Sequence, residues 1–316
     1  MTNKETQIKI LLDDKVKLKT SLNNLDYIGT VEIKDTNKSD KKYIYLRKRE
    51  FTKISSKYVG PYSEELYSIV YKQCKQSKQL IRQIRHIERE LANLGYEEVN
   101  LTNKVLKNID LAKSRFTNLI YNQGVLEGVA ATYAQTETIL ENGKVNGVAT
   151  SDILKIVNLK SAWDFILDND VIRSKQDFNL YSTIARLVND KLLYFPDQVR
   201  TTKSKISGCK VYEPPIPSVA DVKDNFNKIL KSKKTSIDIA IELCLYCMKA
   251  QIFNDGNKRC AIIFANHYLI SKGEGLLIVD SDNVDKFRGM LIDYYDSNKK
   301  TEISKFLKEQ CWIKNK

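Results

Sequence analysis

The chain has 316 residues, with 52 Lys and Arg against 39 Asp and Glu, a formal net charge of +13. At 42% hydrophobic and 29% charged residues, with 5 Pro and 12 Gly, it reads as a folded chain of about two domains, and collagen-like or long disordered chains are excluded. No apolar run reaches the roughly 18 residues of a membrane span, and the polar start MTNKETQIKI lacks a signal-peptide core, so the expectation is a cytoplasmic protein with no membrane partner.

Residues 1–40 are weakly patterned, with Ile8, Ile10, Leu11, Leu12, Val16, Leu18 and Leu22 suited to a short amphipathic helix and Lys34 to Lys42 reading as a loop. From Tyr43 the period changes to two, and a second alternating run, Ile54 to Val59, predicts a β-hairpin that Gly60-Pro61 stops. Ser63 is the expected N-cap of a long helix, with Glu64 and Glu65 at its positive end. Leu66, Val70, Gln73, Ser77, Leu80, Ile84, Ile87, Leu91 and Leu94 recur at spacings of four and three, a seam that either packs on the rest of the chain or pairs two copies as a homodimer. Asn93-Leu94-Gly95 supplies the stop. Beyond residue 100 helices are expected at 103–121, 130–141, 150–168, 178–193, 218–231, 236–250, 257–272, 281–297 and 301–310. The proline-rich stretch 194–217 interrupts them and reads as an exposed hairpin or extended flap. The expected architecture is thus mainly α, with a boundary near residue 100 between a basic hairpin and long-helix module, 1–100, and a helical domain, 101–316.

Cys244 and Cys247 form a C-x-x-C inside an apolar run, without a second pair or a nearby His, and read as buried helix residues.

The stretch with chemistry is Gln251-Ile-Phe-Asn-Asp-Gly-Asn-Lys-Arg259. A helix should end near Ala250 and another begin at once after a tight turn. A helix start leaves N–H groups free and its dipole favours anions. Gly256 allows the positive φ of an anion nest, and Lys258 and Arg259 add two cations. Asp255 beside an anion site makes sense if Mg²⁺ bridges it to phosphate, and Phe253 is the natural apolar anchor. The alternative is an ordinary Asp-Gly-Asn turn with a solvated Lys-Arg pair.

FNDGNKR resembles the core of the Fic/Doc (Fido) signature, His-x-Phe-x-Asp/Glu-Gly-Asn-Gly/Lys-Arg, in its Gly-Asn-Lys-Arg branch, and the resemblance extends over about residues 105–312. It implies a Fic-type helical domain with a short β-hairpin flap, binding ATP with Mg²⁺ and transferring AMP, or phosphate in Doc-like members, to a hydroxyl of a target protein. By that resemblance Asp255 would bind Mg²⁺. Asn257 and Arg259 would hold phosphates, Gly256 would complete the nest, Lys258 would add a charge, and Phe253 would anchor the loop. The flap residues Ile206, Ser207, Gly208, Val211 and Tyr212 would take a target segment by strand addition.

Three departures bear on activity. Gln251 stands where the family has the His that serves as general base, and an amide takes no proton near neutral pH. His267 lies some four helical turns on, too far to replace it. Ile262 replaces the motif's last Arg, and Gln123 replaces the Ser/Thr of the inhibitory motif while Glu127-Gly128 fits it, so Glu127 is expected to meet Lys258 or Arg259 instead. The expected function is therefore a Fic-type ATP-Mg binding protein with reduced or lost transfer. The alternatives are an active AMP- or phosphotransferase of atypical mechanism, or a regulator binding nucleic acid or protein through the N-terminal module. There Arg47, Lys48, Arg49, Lys53 and Lys57 interleave with Tyr43, Tyr45 and Tyr58.

Overall fold

A computed structural model of the chain describes residues 3–36, 39–50, 53–96, 101–141 and 143–314. The chain forms two compact units, Met1–Val99 and Asn100–Lys316.

The first unit begins with helix α1 (Asn3–Asn23), followed by an antiparallel meander of β1 (Thr30–Thr36), β2 (Ser39–Glu50) and β3 (Lys53–Pro61), and ends in α2 (Glu64–Asn93). The hairpin is therefore two-thirds of a three-stranded sheet. Of the polar stretch Lys34–Lys42, expected as a loop, the described residues belong to strands β1 and β2, Lys34 pairing with Tyr43, Asp35 with Lys42 and Thr36 with Ser39. Ile44 and Leu46 turn inward with Val70 and Cys74 of α2, joined by Val31, Val59 and Leu66. Ser63 caps α2, its hydroxyl accepting from Leu66 N–H. The seam of α2 is buried within the chain at Val70, Cys74, Ser77, Leu80, Ile84, Ile87 and Leu91, with α1 packed alongside. Of the cations expected on the hairpin, Lys48, Arg49 and Lys53 have side chains outside the described residues.

The second unit is helical. Its elements are α3 (Asn103–Ser114), α4 (Phe116–Leu126), α5 (Tyr133–Leu140), α6 (Thr150–Ile166), α7 (Phe178–Val188), α8 (Val219–Leu230), α9 (Ser236–Ala250), α10 (Asn257–Lys272), β4 (Leu276–Leu277), α11 (Val284–Ser297), α12 (Thr301–Gln310) and β5 (Trp312–Ile313). The stretch expected as one helix over 103–121 is two, broken at Arg115, so that α4 leaves α3 and turns its end toward α10. At the centre lies α10, buried at Arg259 to Ile270 and flanked by α9, α7, α3 and α6. A helix apolar all round is a core helix. Around its first half Tyr181, Phe226, Phe253 and Phe264 pack ring to ring, with centroids 5.0–5.6 Å apart. Cys244 and Cys247 face this core, free and fully buried; burial pushes the Cys244 thiol up to about 12, and Cys247 is also raised well above its ordinary value. The two-residue strands β4 and β5 pair antiparallel and tie the C-terminal end to the segment after α10. No described helix is long and apolar enough to cross a membrane.

Of the two forms expected for 194–217, an exposed hairpin or an extended flap, the structure shows the extended one. No β-ladder joins residues within it, and the chain runs extended with a turn at Ser207-Gly208. With three prolines at 214, 215 and 217, the stretch lacks the N–H groups a ladder needs. Its anchorage comes from elsewhere. Val199 bridges Phe253, and the buried Arg200 donates from Nε to Gln251 C=O and from its other nitrogens to Thr202 and Pro215 C=O.

Candidate functional site

The loop between α9 and α10 is built by its own side chains. α9 ends on Gln251, which takes the left-handed conformation at φ 46°. That region is uncommon for a residue with a side chain, and here the side chain helps hold it. Gln251 Nε2 donates to Met248 C=O at 2.7 Å, closing the helix end, while its Oε1 accepts from Asn257 Nδ2 at 3.2 Å. Asn257 Oδ1 accepts from Phe253 N–H at 2.9 Å and Nδ2 also donates to Phe253 C=O at 2.7 Å. Both amide hydrogens and the oxygen of Asn257 are thus committed to the loop. The ring of Phe253 is buried in the aromatic core, as an anchor should be.

Gly256 precedes α10 at φ 74°, with no side-chain cap on the helix. A Cβ there would lie 2.5 Å from Asn189 Oδ1 and 3.1 Å from Val188 Cγ1, so the position excludes every other residue twice over, by conformation and by space. Asn189 in turn donates to Asp255 C=O and Pro196 C=O, both at 3.1 Å, holding the turn from the α7 side.

The charged groups converge on this start. Arg259 is 1% exposed; its guanidinium donates to Asp255 Oδ2 at 3.0 Å and to Val188 C=O at 3.3 Å. Glu127, just past the end of α4, brings its carboxylate to 3.6 Å from Arg259 Nε and 3.4 Å from Lys258 Nζ. Glu127 therefore meets both of the cations it was expected to choose between. Gly128 follows at φ 74°, turning the chain back after α4. The partners that hold α4 here were invisible as such in the sequence. Gln123 Nε2 donates to Arg259 C=O at 2.7 Å and its Oε1 accepts from Trp163 Nε1 at 2.9 Å, so it is a buried strut between α4, α6 and α10. Arg288 of α11 donates to the C=O groups of Val125 and Leu126, the last of α4. The only advance sign of Gln123 was its place in a motif that ordinarily has a hydroxyl residue.

Three buried polar atoms at this point have no hydrogen-bond partner: Glu127 Oε1, Arg259 Nε and Asn189 Oδ1. The first two are held by the ion-pair contacts above, at 3.4 and 3.6 Å, in place of hydrogen bonds. The Asp255 carboxylate is half exposed beside them. Among the described residues no group of three metal-type side chains forms. A cation at Asp255 would draw its other oxygens from phosphate and water, the donor set Mg²⁺ favours.

The other expected residues lie apart from this cluster. Ile262 is buried in an apolar wall with Leu119, Leu126, Trp163 and Leu277. His267 is fully buried, its two ring nitrogens engaged with Gln176 Oε1 at 2.7 Å and Val171 C=O at 2.8 Å, and burial lowers its pKa to about 4. It is a core group with no access to a substrate proton.

The flap reaches the site through Arg200 and Gln251 and is pinned at its far end by α11. The Asp296 carboxylate accepts from the backbone N–H groups of Lys210, Val211 and Tyr212 at 2.9–3.1 Å, which holds its pKa below the ordinary carboxylate range. The Tyr212 hydroxyl donates to Lys249 C=O, and the Lys249 ammonium lies over the rings of Tyr212 and Tyr294 at 4.5 and 4.8 Å. Ile206 is half-buried, whereas Ser207, Gly208 and Val211 are exposed. Tyr194 and Phe195, at the start of the 194–217 stretch, are also exposed.

No protein-family model matches the chain, and no curated protein matches it. Among solved structures it is similar to a Fic domain-containing signaling protein from Bacteroides thetaiotaomicron, with 17% identity and a TM-score of 0.50 over 64% of this chain and 79% of that one. It is similar also to a Fic family protein from Desulfovibrio desulfuricans, with 13% identity and a TM-score of 0.50 over 66% of this chain and 72% of that one. The likeness is one of fold: the chain has the mainly helical Fic-type architecture.

Proposed function

We propose that the chain is a Fic-type protein that binds ATP with Mg²⁺ at the α9–α10 loop and transfers AMP or phosphate weakly or not at all. The observation that carries this reading is the start of α10. An uncapped helix end and Lys258 face the carboxylate of Glu127, and the buried Arg259 lies between that carboxylate and Asp255, while Glu127 Oε1 and Arg259 Nε are held by ion-pair contacts without a hydrogen bond. A phosphate presents the same kind of charge as that carboxylate with more acceptor oxygens, and a helix start is a natural seat for it.

In the bound state Glu127 withdraws and Lys258 and Arg259 receive phosphate oxygens. Asp255 is the residue that would hold Mg²⁺, which neutralises phosphate charge when bound. Asn257 contributes by keeping the loop in shape, since its amide is committed to Phe253 and Gln251. Gln251 is a brace at the helix end. It has no titratable nitrogen, and the one described core histidine, His267, is engaged on both ring nitrogens. Loss of a general base typically costs about 10²–10⁴ in rate. A target segment would lie along the flap, near Val211 and Tyr212.

The test compares the parent with Gln251→His, each incubated with ATP labelled at the α- or the γ-phosphate and a cell lysate. Transfer by the parent is expected at least about 10²-fold below that of the His variant, and the position of the retained label names the group transferred. A parent that labels protein as fast as the His variant overturns the lost-base reading.

A further inference from the structure

The charge of the first unit is concentrated: residues 41–89 hold 13 Lys and Arg against 4 Asp and Glu. On the sheet part of the described charge is paired. Arg47 and Lys34 both lie against Glu32, and Lys34 also bonds Ser56 and sits over the ring of Tyr45. On α2 it is not. Lys75, Lys78, Arg82, Arg85 and Arg89 follow one another at spacings of three, four, three and four, which sets all five in one row along the helix. All five are exposed, and among the described residues none is ion-paired. The row lies away from the buried seam of Val70, Cys74, Ser77, Leu80, Ile84 and Ile87. Beside it runs a second exposed row, Lys72, Gln76, Gln79, Gln83 and His86, also at helical spacing.

Like charges three and four residues apart destabilise a helix. A row of five that keeps neither an acidic partner nor a neutral spacer is a cost with no return inside the protein. Its return lies in a polyanion. From Lys75 to Arg89 the helix rises about 21 Å, and one strand of a duplex presents roughly six phosphates over that length. Five cations in line match such a backbone in charge and in shape. A protein partner fits less well, because stable interfaces have an apolar centre. Between Gln73 and Glu90 the exposed side of α2 carries no large apolar side chain, its exposed Ile69 and Tyr71 lying at the N-terminal end. The glutamine row adds donors and acceptors of the kind that read base edges or bond phosphates.

We propose that the exposed face of α2 is a docking surface for double-stranded nucleic acid, with Lys75, Lys78, Arg82, Arg85 and Arg89 on the phosphate backbone. This surface is separate from the α9–α10 loop, and either assignment stands without the other.

The experiment is fluorescence anisotropy of a labelled 25-base-pair DNA duplex with the full chain between 50 and 300 mM salt. Five phosphate contacts predict a slope of log affinity against log salt of about −4.5. The triple variant Lys75→Gln, Arg82→Gln, Arg85→Gln changes exposed positions only, and circular dichroism checks its helix content. It should bring the slope to about −1.8. Three outcomes overturn the proposal: no binding at 50 mM salt, a slope that the triple variant leaves unchanged, or displacement of the duplex by polyglutamate at equal charge, which would make the surface one for acidic protein.

Discussion

Gln251 and Gly256 set the backbone of the loop from its two ends, and each does so in the left-handed region, at φ 46° and 74°. For Gly256 the constraint is doubled by Asn189 Oδ1, 2.5 Å from where a Cβ would stand. Gly256→Ala is therefore expected to lower stability by about 1–3 kcal/mol and to abolish nucleotide binding, as read by thermal unfolding with and without ATP-Mg²⁺. At His267 the sign follows from its lowered pKa. The unfolded chain binds a proton near pH 6.5 that the folded chain takes up only near 4, so stability is full above about pH 6.5 and falls as the pH drops toward 4. Urea unfolding at pH 7 and pH 4.5 should show a loss on the order of 2–3 kcal/mol, much reduced in His267→Gln when each variant is compared with itself at pH 7. Equal pH dependence in both would place the titrating group elsewhere.

At the scale of elements, the end of α4 matters as much as the loop. Gln123 joins Trp163 Nε1 to Arg259 C=O, and Gln123→Ala would leave the buried Trp163 Nε1 unpaired and remove the second bond at the Arg259 carbonyl. The expected cost is about 2–4 kcal/mol in urea unfolding, with Gln123→Glu no full remedy, since a carboxylate cannot donate to the Arg259 carbonyl. The flap depends on Asp296 in the same way. Its lowered pKa means that the three backbone bonds are present above the ordinary Asp value near 3.9 and are lost as pH falls through the still lower folded value. Hydrogen-exchange protection at Lys210, Val211 and Tyr212, taken against the intrinsic rate at each pH, should fall on acidification below pH 4, and Asp296→Asn should show the lower protection already at pH 7. These elements also show what a sequence can and cannot convey. Helices α9, α10 and α12 were legible to the residue because a Thr cap, a Gly start and apolar periodicity coincide with their ends. The break of α3 and α4 at Arg115 was not, since no proline or glycine marks it and only the approach to α10 requires it. β1 escaped because its alternation is dilute and is completed by its neighbour β2. In the site, Gly256, Lys258, Arg259 and Glu127 could be named from a short motif. Asn189, Trp163 and Arg288 could not, nor could the strut role of Gln123, because these arise from contacts across 40 to 163 positions of sequence.

Across the whole molecule, the formal +13 resolves into different kinds of charge. In the second unit the informative cations are buried or half-buried and face carboxylates, as Arg259 and Lys258 face Glu127. In the first they form an exposed row on α2 that is without an ion pair among the described residues. Net charge alone pointed to an anion of some sort; burial and pairing separate a compact phosphate site from an extended polyanion surface. The two units divide at residue 99, so each surface belongs to its own core.

The central claim is that Glu127 occupies a seat built for phosphate. Calorimetric titration of ATP-Mg²⁺ into the parent and into Glu127→Gln tests it most directly. Removing the carboxylate's charge frees Lys258 and leaves Arg259 with Asp255 as its acidic partner among the described residues, and the account predicts that the variant binds at least about tenfold more tightly than the parent, a gain of about 1.4 kcal/mol. Equal affinity, or no binding by either protein at millimolar nucleotide, would contradict it.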